Sequence, residues 1–209
     1  YKSYDKTLEI NRHIELEIDD ALKNGEFVVY FQPKVNMVSS ELVGAEALAR
    51  WIHPVDGIRP PAAFIPLFEK NGFISQLDLY MFEETCRIKS TWKGTKYEHI
   101  PISINMSRLH LYNQAYPDQL VEIAGRYQIP TNELELEVTE SIFLKDSSEL
   151  IRMINQLQDR GFMISIDDFG SGFSALNLLK DLNANTIKLD REFLSNSSNS
   201  FFMHFFPSS

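Results

Sequence analysis

The sequence predicts an α/β fold with a mostly parallel β-sheet, and two observations support this prediction. Segments of strand-like pattern alternate with segments of helical period from residue 25 onward, which is typical of βαβ units. Four of the predicted strands also carry polar side chains at alternate positions, with the strongest polar groups near their carboxyl ends. The 209 residues, 44% of them hydrophobic, are enough to bury one sizeable core.

The predicted strands and helices follow one another with short connections. Strands are predicted at 27–35, 41–51, 100–107, 133–140, 162–169 and 185–190. Helices are predicted at 8–24, 61–70, 75–92, 117–128, 147–160 and 173–182. Pro117 stands where a first-turn proline belongs, and Asp146 with Glu149 resembles a capping box. Gly25 and Gly161 are placed to end the helices that precede them.

The polar rows on four predicted strands are the main clue to function. They comprise Ser103, Asn105 and Ser107; Glu135, Glu137 and Thr139; Ser165 and Asp167; and Thr186, Lys188 and Asp190. One such strand would be interpreted as half-exposed with a solvated face, but four strands bearing Glu, Asn, Asp and Lys favour a shared site. The carboxyl ends of parallel strands meet at one edge, which in a closed β/α barrel is the active-site face.

The acidic residues in these rows indicate a divalent-metal site. Several carboxylates at one mouth repel each other and cannot all stay ionised without a counter-charge. Carboxylates with an amide oxygen form the ligand set of a hard ion such as Mg²⁺ or Mn²⁺. Adjacent carboxylates such as Asp167 and Asp168 suit two metals, one bridging both ions and the other holding the second. A pair of metals about 3.5–4 Å apart is a known arrangement for phosphodiester hydrolysis.

Composition excludes several other classes of protein. A net charge of −9 makes the chain a poor general binder of nucleic-acid polymers or anionic membranes. The single Cys86 excludes an internal disulfide and suits a reducing compartment. No apolar run approaches the roughly 18 residues of a membrane span. Because the chain begins with Tyr1, we expect it to be part of a longer protein.

Six motifs resemble, in order and spacing, the EAL-domain cyclic di-GMP phosphodiesterases. They are "YFQPKV" (30–35), "GAEALARW" (44–51), "SINMS" (103–107), "LEVTES" (136–141), "DDFGSGFSAL" (167–176) and "IKLDREF" (187–193). The resemblance implies a modified (β/α)₈ TIM-like barrel that hydrolyses cyclic di-GMP to linear pGpG with two Mg²⁺ or Mn²⁺ ions. It implies a linker and helix at 1–24, the EAL domain at 25–194 and an atypical tail at 195–209.

The resemblance also assigns roles to individual residues. The implied metal ligands are Glu46, Asn105, Glu137, Asp167 and Asp168. The implied catalytic residues are Glu46, Asp167, Asp168 and Lys188, the lysine orienting or deprotonating the attacking water. Substrate contacts are implied for Gln32, Arg50 and Asn105, with Arg50 on a phosphate. Glu140 is implied to anchor the loop "DFGSGFS" that begins at Asp168 and contains Gly170, Ser171 and Gly172.

Each assignment has a structural alternative. Gln32 could cap a loop, Arg50 could pair with a surface acid, Glu140 could interact with a helix dipole, and Lys188 could form a salt bridge at the rim. Other conspicuous side chains are expected to be structural rather than functional. They are His53 and the aromatic residues Trp51, Phe64, Phe68 and Phe73.

The end of the chain departs from the family pattern. After residue 194 the expected seventh and eighth strands are missing, which leaves about six strands, and the tail is rich in Ser, Asn and Phe. We therefore expect impaired activity in this chain by itself. The alternatives are a non-catalytic cyclic di-GMP receptor and a lyase that uses Lys188 as a Schiff base. The resemblance further implies a cytoplasmic location, a homodimer and an upstream GGDEF or sensor domain.

Overall fold

The computed structural model describes residues 14–169 and 184–189 of the chain. The predicted helix at 173–182, the tail at 195–209 and the loop residues Gly170, Ser171 and Gly172 lie outside these ranges. Of the predicted helix at 8–24, the structure describes a helical stretch at 14–23, named α1 here.

The remaining elements match the predicted ones closely. The strands are β1 (Phe27–Val35), β2 (Leu42–His53), β3 (Gly57–Arg59), β4 (Ile102–Asn105), β5 (Leu134–Thr139), β6 (Met163–Phe169) and β7 (Thr186–Leu189). The helices are α2 (Pro61–Asn71), α3 (Ile74–Ser90), α4 (Tyr116–Arg126) and α5 (Phe143–Asp159). Short 3₁₀ turns occupy Arg108–Tyr112, Thr131–Glu133 and Glu140–Ile142.

The sheet has the order β1-β2-β4-β5-β6-β7, with β3 paired to β2. From β2 to β7 the neighbours along this path are parallel, as predicted. β1 and β2 form an antiparallel hairpin, since no helix separates them to carry the chain back. With the short strand β3, residues 14–169 and 184–189 contain seven strands where six were predicted. β3 was missed because three residues are too few to show a strand pattern.

One face of the sheet packs against the helices. The apolar row of each central strand, including Ile102, Leu134, Leu136 and Ile164, is buried in the main core with α3, α4 and α5. A second core joins α1, α2 and the β1–β2 hairpin. Its aromatic side chains are Phe27, Trp51, Phe64, Phe68 and Phe73, so the predicted core role of the last four is confirmed.

The polar row on the other face is also buried. Ser103, Glu137 and Ser165 are each no more than 1% exposed. The interpretation of these strands as half-exposed with a solvated face is therefore wrong for their central positions. These side chains point to the concave side of the sheet, which corresponds to the interior of a β/α barrel.

Two local features differ from the sequence prediction. α5 begins at Phe143, directly after a 3₁₀ turn, so Asp146 lies inside the first turns and the predicted capping box is wrong. The register between β6 and β7 shifts after Ile166, so that Asp167 and Asp168 together face Lys188. Asp168 takes a left-handed φ of 56°, which Asp tolerates better than most residues. This bulge sets two adjacent aspartates of β6 opposite one residue of β7.

Candidate active site

The candidate site lies at the carboxyl ends of the parallel strands. Glu46 comes from β2, Asn105 from the last residue of β4, Glu137 from β5, Asp167 from β6 and Lys188 from β7. The strand registers align these positions. Asn105 pairs with Glu137, and Thr139, two residues after Glu137 in β5, pairs with Asp167. The sequence prediction that these side chains share one mouth agrees with this geometry.

The Lys188 ammonium joins carboxylates from three different strands. Its Nζ lies 2.5 Å from Glu137 Oε2 and 3.0 Å from Glu46 Oε2. Asp167 Oδ2 is 3.6 Å from the same nitrogen. Asn105 Nδ2 approaches Glu46 Oε1 at 3.4 Å on the flank of this cluster. Three carboxylates therefore surround the Lys188 ammonium, and the amide of Asn105 contacts one of them.

Glu137 is the most deeply buried member of the cluster, with a side chain that is 0% exposed. Its second oxygen, Oε1, accepts a hydrogen bond of 3.1 Å from Lys34 of β1. Burial by itself would raise the pKa of Glu137, but the hydrogen bond from Lys188 and the charges of Lys188 and Lys34 outweigh it, so this pKa lies below its ordinary value. Glu137 is thus ionised and held between two cations.

Lys188 is held in its charged form by the same contacts. Its burial would lower the pKa, but the hydrogen bonds and charges of Glu137 and Glu46 prevail and raise it above 10.5. In this arrangement Lys188 is a proton-bearing donor rather than a free amine. A neutral amine is required for Schiff-base formation, so this environment disfavours the lyase alternative.

The donor set fits a hard divalent ion in its chemistry. Carboxylate oxygens of Glu46, Glu137 and Asp167, with the amide of Asn105, are the ligand types that Mg²⁺ and Mn²⁺ prefer. In the described part of the chain, no group of three His, Cys, Asp or Glu side chains is arranged around a common metal position. Instead, the Lys188 ammonium contacts carboxylate oxygens of Glu46, Glu137 and Asp167, so a metal ion would compete with the ammonium for these oxygens.

Gln32 and Arg50 lie on the same concave side as Glu46. Gln32 is directly opposite Glu46 in the β1–β2 register, and its side chain is exposed. Arg50 lies two pleats further along β2, and its guanidinium donates to the carbonyl oxygen of Ala49. Within residues 14–169 and 184–189, no carboxylate lies within ion-pair distance of Arg50. The surface-pair alternative for Arg50 therefore has no partner there.

Glu140 follows β5 and is 2% exposed. The loop that it is predicted to anchor falls outside the described residues, so this role stays a prediction. Asp168 is exposed, and its backbone N–H donates to Asp167 Oδ1 at 2.9 Å. This local hydrogen bond fixes the carboxylate of Asp167 beside the bulge.

Two supports of the site were missed by the sequence analysis. Lys34 is one; it stands two residues after Gln32 in the "FQPKV" segment, and the alternation of β1 could have placed it on the same face. Asp78 of α3 is the other. Its carboxylate accepts the Ser107 N–H at 2.9 Å and lies 3.1 Å from His110 Nε2. It thereby holds the turn that follows Asn105.

Burial raises the pKa of Asp78, although His110 and the Ser107 N–H act to lower it. This network lies at the edge of a cavity of about 600 Å³ between the strand ends and the helices α2 and α3. Nothing in the spacing of Asp78 from the site motifs signals this contact, because it depends on how α3 packs.

A mostly parallel α/β sheet whose strand ends gather carboxylates, an amide and a lysine defines a TIM-barrel-like domain with an acidic candidate site at its strand ends. The chain belongs to the EAL domain family, whose model matches residues 15–202. The resemblance seen in the sequence is confirmed, and so is the α/β fold class of this family. The described sheet itself is open, with β1 and β7 at its edges.

Several named proteins are similar to this chain. It is 37% identical over 174 residues to PdeG of Escherichia coli K12, named a probable cyclic di-GMP phosphodiesterase, covering 83% of this chain and 34% of PdeG. It is 34% identical over 199 residues to MucR of Pseudomonas aeruginosa PAO1, named a bifunctional diguanylate cyclase/cyclic di-GMP phosphodiesterase, covering 93% and 29%. The chain therefore spans about a third or less of these relatives.

Solved structures show the same fold. The PaMucR phosphodiesterase in complex with cyclic di-GMP superposes with a TM-score of 0.82 and 34% identity, covering 90% of this chain and 76% of that chain. The EAL enzyme Bd1971, bound to cAMP and cyclic di-GMP, gives a TM-score of 0.81 and 28% identity, covering 93% and 53%. None of the helices described here combines the length and the apolar character needed to cross a bilayer.

Proposed function

We propose that this domain hydrolyses cyclic di-GMP to linear pGpG by a mechanism that uses two divalent cations. The observation that carries the proposal is the convergence of Glu46, Glu137 and Asp167, from three strands, on the Lys188 ammonium. The phosphodiesterase names of the relatives and the cyclic di-GMP complex of a structural neighbour support the same substrate.

The chain's own donors would hold the two ions. Glu46, Asn105, Glu137 and Asp167 would bind the first ion, while Asp167 and Asp168 would bind the second. When bound, Mg²⁺ or Mn²⁺ supplies Lewis-acid stabilisation of the phosphoryl oxygens and a water of lowered pKa. The bulge in β6 supports this division, since it sets both aspartates opposite the single residue Lys188 of β7.

Lys188 would act on the attacking water as a donor and as a positive charge. Its raised pKa supports orientation and charge stabilisation over deprotonation, because a lysine that keeps its proton cannot accept another. Glu137, held in place by Lys34, would keep its ionised carboxylate aimed at the same point.

Arg50 and Gln32 would bind the dinucleotide. A guanidinium suits bidentate contact with a phosphate, and Arg50 has donors that no described carboxylate uses. Gln32 faces the cluster beside Glu46, and no hydrogen bond of its side chain occurs within the described residues. This supports a substrate contact over a loop-capping role.

The decisive experiment measures pGpG formation by chromatography and mass spectrometry, with the purified chain, cyclic di-GMP and Mg²⁺ or Mn²⁺. The wild type is expected to form detectable pGpG, a result that impaired activity still allows, and Glu46→Gln to lose at least a hundredfold in rate. Glu41→Gln, an exposed change in the β1–β2 connection, is the matched control and should keep the wild-type rate.

Calorimetric titration of cyclic di-GMP with Ca²⁺ in place of Mg²⁺ separates binding from hydrolysis. Binding without any pGpG would favour the non-catalytic receptor. Neither binding nor pGpG, from a chain that is folded by circular dichroism, would refute the proposal. The choice between Mg²⁺ and Mn²⁺ follows from the rates with each ion.

The wider context is proposed from the relatives alone. MucR is named as bifunctional and a further relative, DosP of Escherichia coli K12, as an oxygen sensor protein, at 36% identity over 178 residues. We infer that this domain works in the cytoplasm as the phosphodiesterase part of a signalling protein with a cyclase or sensor domain, and that it forms a homodimer. Analytical ultracentrifugation of the chain tests the dimer.

A further inference from the structure

The β1–β2 hairpin places an exposed aromatic ring beside the candidate substrate residues. Gln32 pairs with Glu46 in the register, and Tyr30 pairs with Leu48 one pleat further toward the carboxyl end of β2. Side chains two residues apart share a face, so Tyr30 lies on the concave side with Gln32. It lies closer than Glu46 to the carboxyl ends of the parallel strands, and so at the mouth of the site.

Tyr30 is 46% exposed although it stands in the middle of a strand. The guanidinium carbon of Arg50 lies 5.6 Å from the ring centroid, which is within cation–π distance. The hairpin therefore holds an aromatic face and a phosphate-type donor side by side at the mouth. A nucleotide offers the matching pair, a flat base and a phosphate on the same residue.

We propose that Tyr30 is a stacking platform for one guanine base of the bound dinucleotide, next to the phosphate that Arg50 binds. This inference rests on the proposed function and adds a base contact to it. Base–aromatic stacking tolerates any base, so Tyr30 contributes affinity, while hydrogen-bonding groups elsewhere read guanine. Tyr30 does not touch the reacting atoms and is a binding residue.

The competing interpretation is that the ring only packs against Arg50 and Leu48. Two substitutions distinguish these interpretations. Tyr30→Phe keeps the aromatic face and removes the hydroxyl, whereas Tyr30→Leu keeps apolar bulk and removes the aromatic face. Stacking predicts that Tyr30→Phe keeps the affinity for cyclic di-GMP and that Tyr30→Leu loses it. Simple packing predicts the same affinity for both variants.

The test is calorimetric titration of cyclic di-GMP into the chain with Ca²⁺, for the wild type, Tyr30→Phe, Tyr30→Leu and Tyr30→Ala. The matched control is Tyr97→Ala, because Tyr97 is also exposed, at 41%, and has Lys96 Nζ 5.0 Å from its ring centroid. Tyr97 lies in the connection before β4, at the opposite ends of the parallel strands.

Loss of one stacked base should raise Kd about 5- to 150-fold in Tyr30→Ala and Tyr30→Leu. Tyr30→Phe and Tyr97→Ala should stay within about twofold of the wild type. Equal Kd for Tyr30→Leu and Tyr30→Phe overturns the inference and leaves the proposed function standing. A folded wild type that does not bind cyclic di-GMP refutes the proposed function and the inference with it.

Discussion

Replacing Lys188 by Met tests the electrostatic organisation of the site directly. The substitution removes one positive charge and keeps most of the apolar stem. It leaves the carboxylates of Glu46 and Asp167 near Glu137 without their shared partner, since all three lie within 3.6 Å of Lys188 Nζ. Without metal, we expect the variant to be less stable than the wild type.

The magnitude follows from the burial of the partners. Breaking a fully buried ion pair costs about 3–5 kcal/mol, and an exposed pair is worth about 0–1 kcal/mol. Lys188 is 22% exposed and Glu137 is 0% exposed, but Glu137 keeps Lys34 as a second partner. We therefore expect a loss of about 2–4 kcal/mol, which for a domain of this size lowers Tm by about 4–16 °C.

Thermal unfolding in EDTA measures the loss of stability without metal, and unfolding with Mg²⁺ or Mn²⁺ measures how much each ion restores. A divalent ion no longer competes with the ammonium in Lys188→Met, so the same ion concentration should raise Tm more in the variant than in the wild type. Lys93→Met is the matched control, because Lys93 is exposed in the turn that follows α3, and it should change stability by less than about 0.5 kcal/mol.

Two results would refute this reasoning. If Lys188→Met were as stable as Lys93→Met in EDTA, the close contacts of Lys188 would contribute nothing to folding. If added metal raised Tm equally in the wild type and Lys188→Met, the ion and the ammonium would not share the same carboxylates, and the two-cation proposal would lose its structural basis.

Three further predictions follow from other positions. The lowered pKa of Glu137 stabilises the fold above pH 4.5, so metal-free stability measured by urea unfolding should fall as pH drops below that value, and less so in Glu137→Gln. Burial raises the pKa of Cys86 to about 12, so iodoacetamide should modify it only as fast as the chain unfolds, and faster labelling at pH 8 would contradict its burial. Gly161→Ala should cost about 1–3 kcal/mol in urea unfolding, because φ is 90° and a Cβ would lie 2.7 Å from Thr131 Oγ1, whereas Gly125→Ala in helix α4 should not destabilise.

The alternation of polar and apolar residues in the strands was enough to predict most of the fold and much of the candidate site. A parallel sheet needs apolar side chains toward the helices, so a polar residue at every second position must point the other way. This constraint groups Asn105, Glu137, Asp167 and Lys188 at one edge, and the family resemblance adds Glu46 to them. The structure places these five side chains there. The period of two in a strand thus determined which residues meet.

Features that depend on packing or on short range geometry could not be predicted. The β1–β2 hairpin follows from the absence of an intervening helix, but three-residue β3 has no period to detect. The contact of Asp78 with Ser107 depends on how α3 lies against β4. α5 begins at Phe143, earlier than the predicted residue 147, because a 3₁₀ turn at Glu140–Ile142 continues directly into the helix. Capping residues do not signal such a continuation.

The two lysines that hold Glu137 differ in where they approach it. Lys34 lies opposite Gly44 in the hairpin, at the amino-terminal ends of the parallel strands, and binds Oε1 from below. Lys188 binds Oε2 from the mouth, where it also contacts Glu46. If Glu137 held a divalent ion through Oε2, Lys34 would still donate to Oε1. Glu137 would keep one fixed partner throughout, so its buried carboxylate would never be without a counter-charge, and only its outer oxygen would change partner.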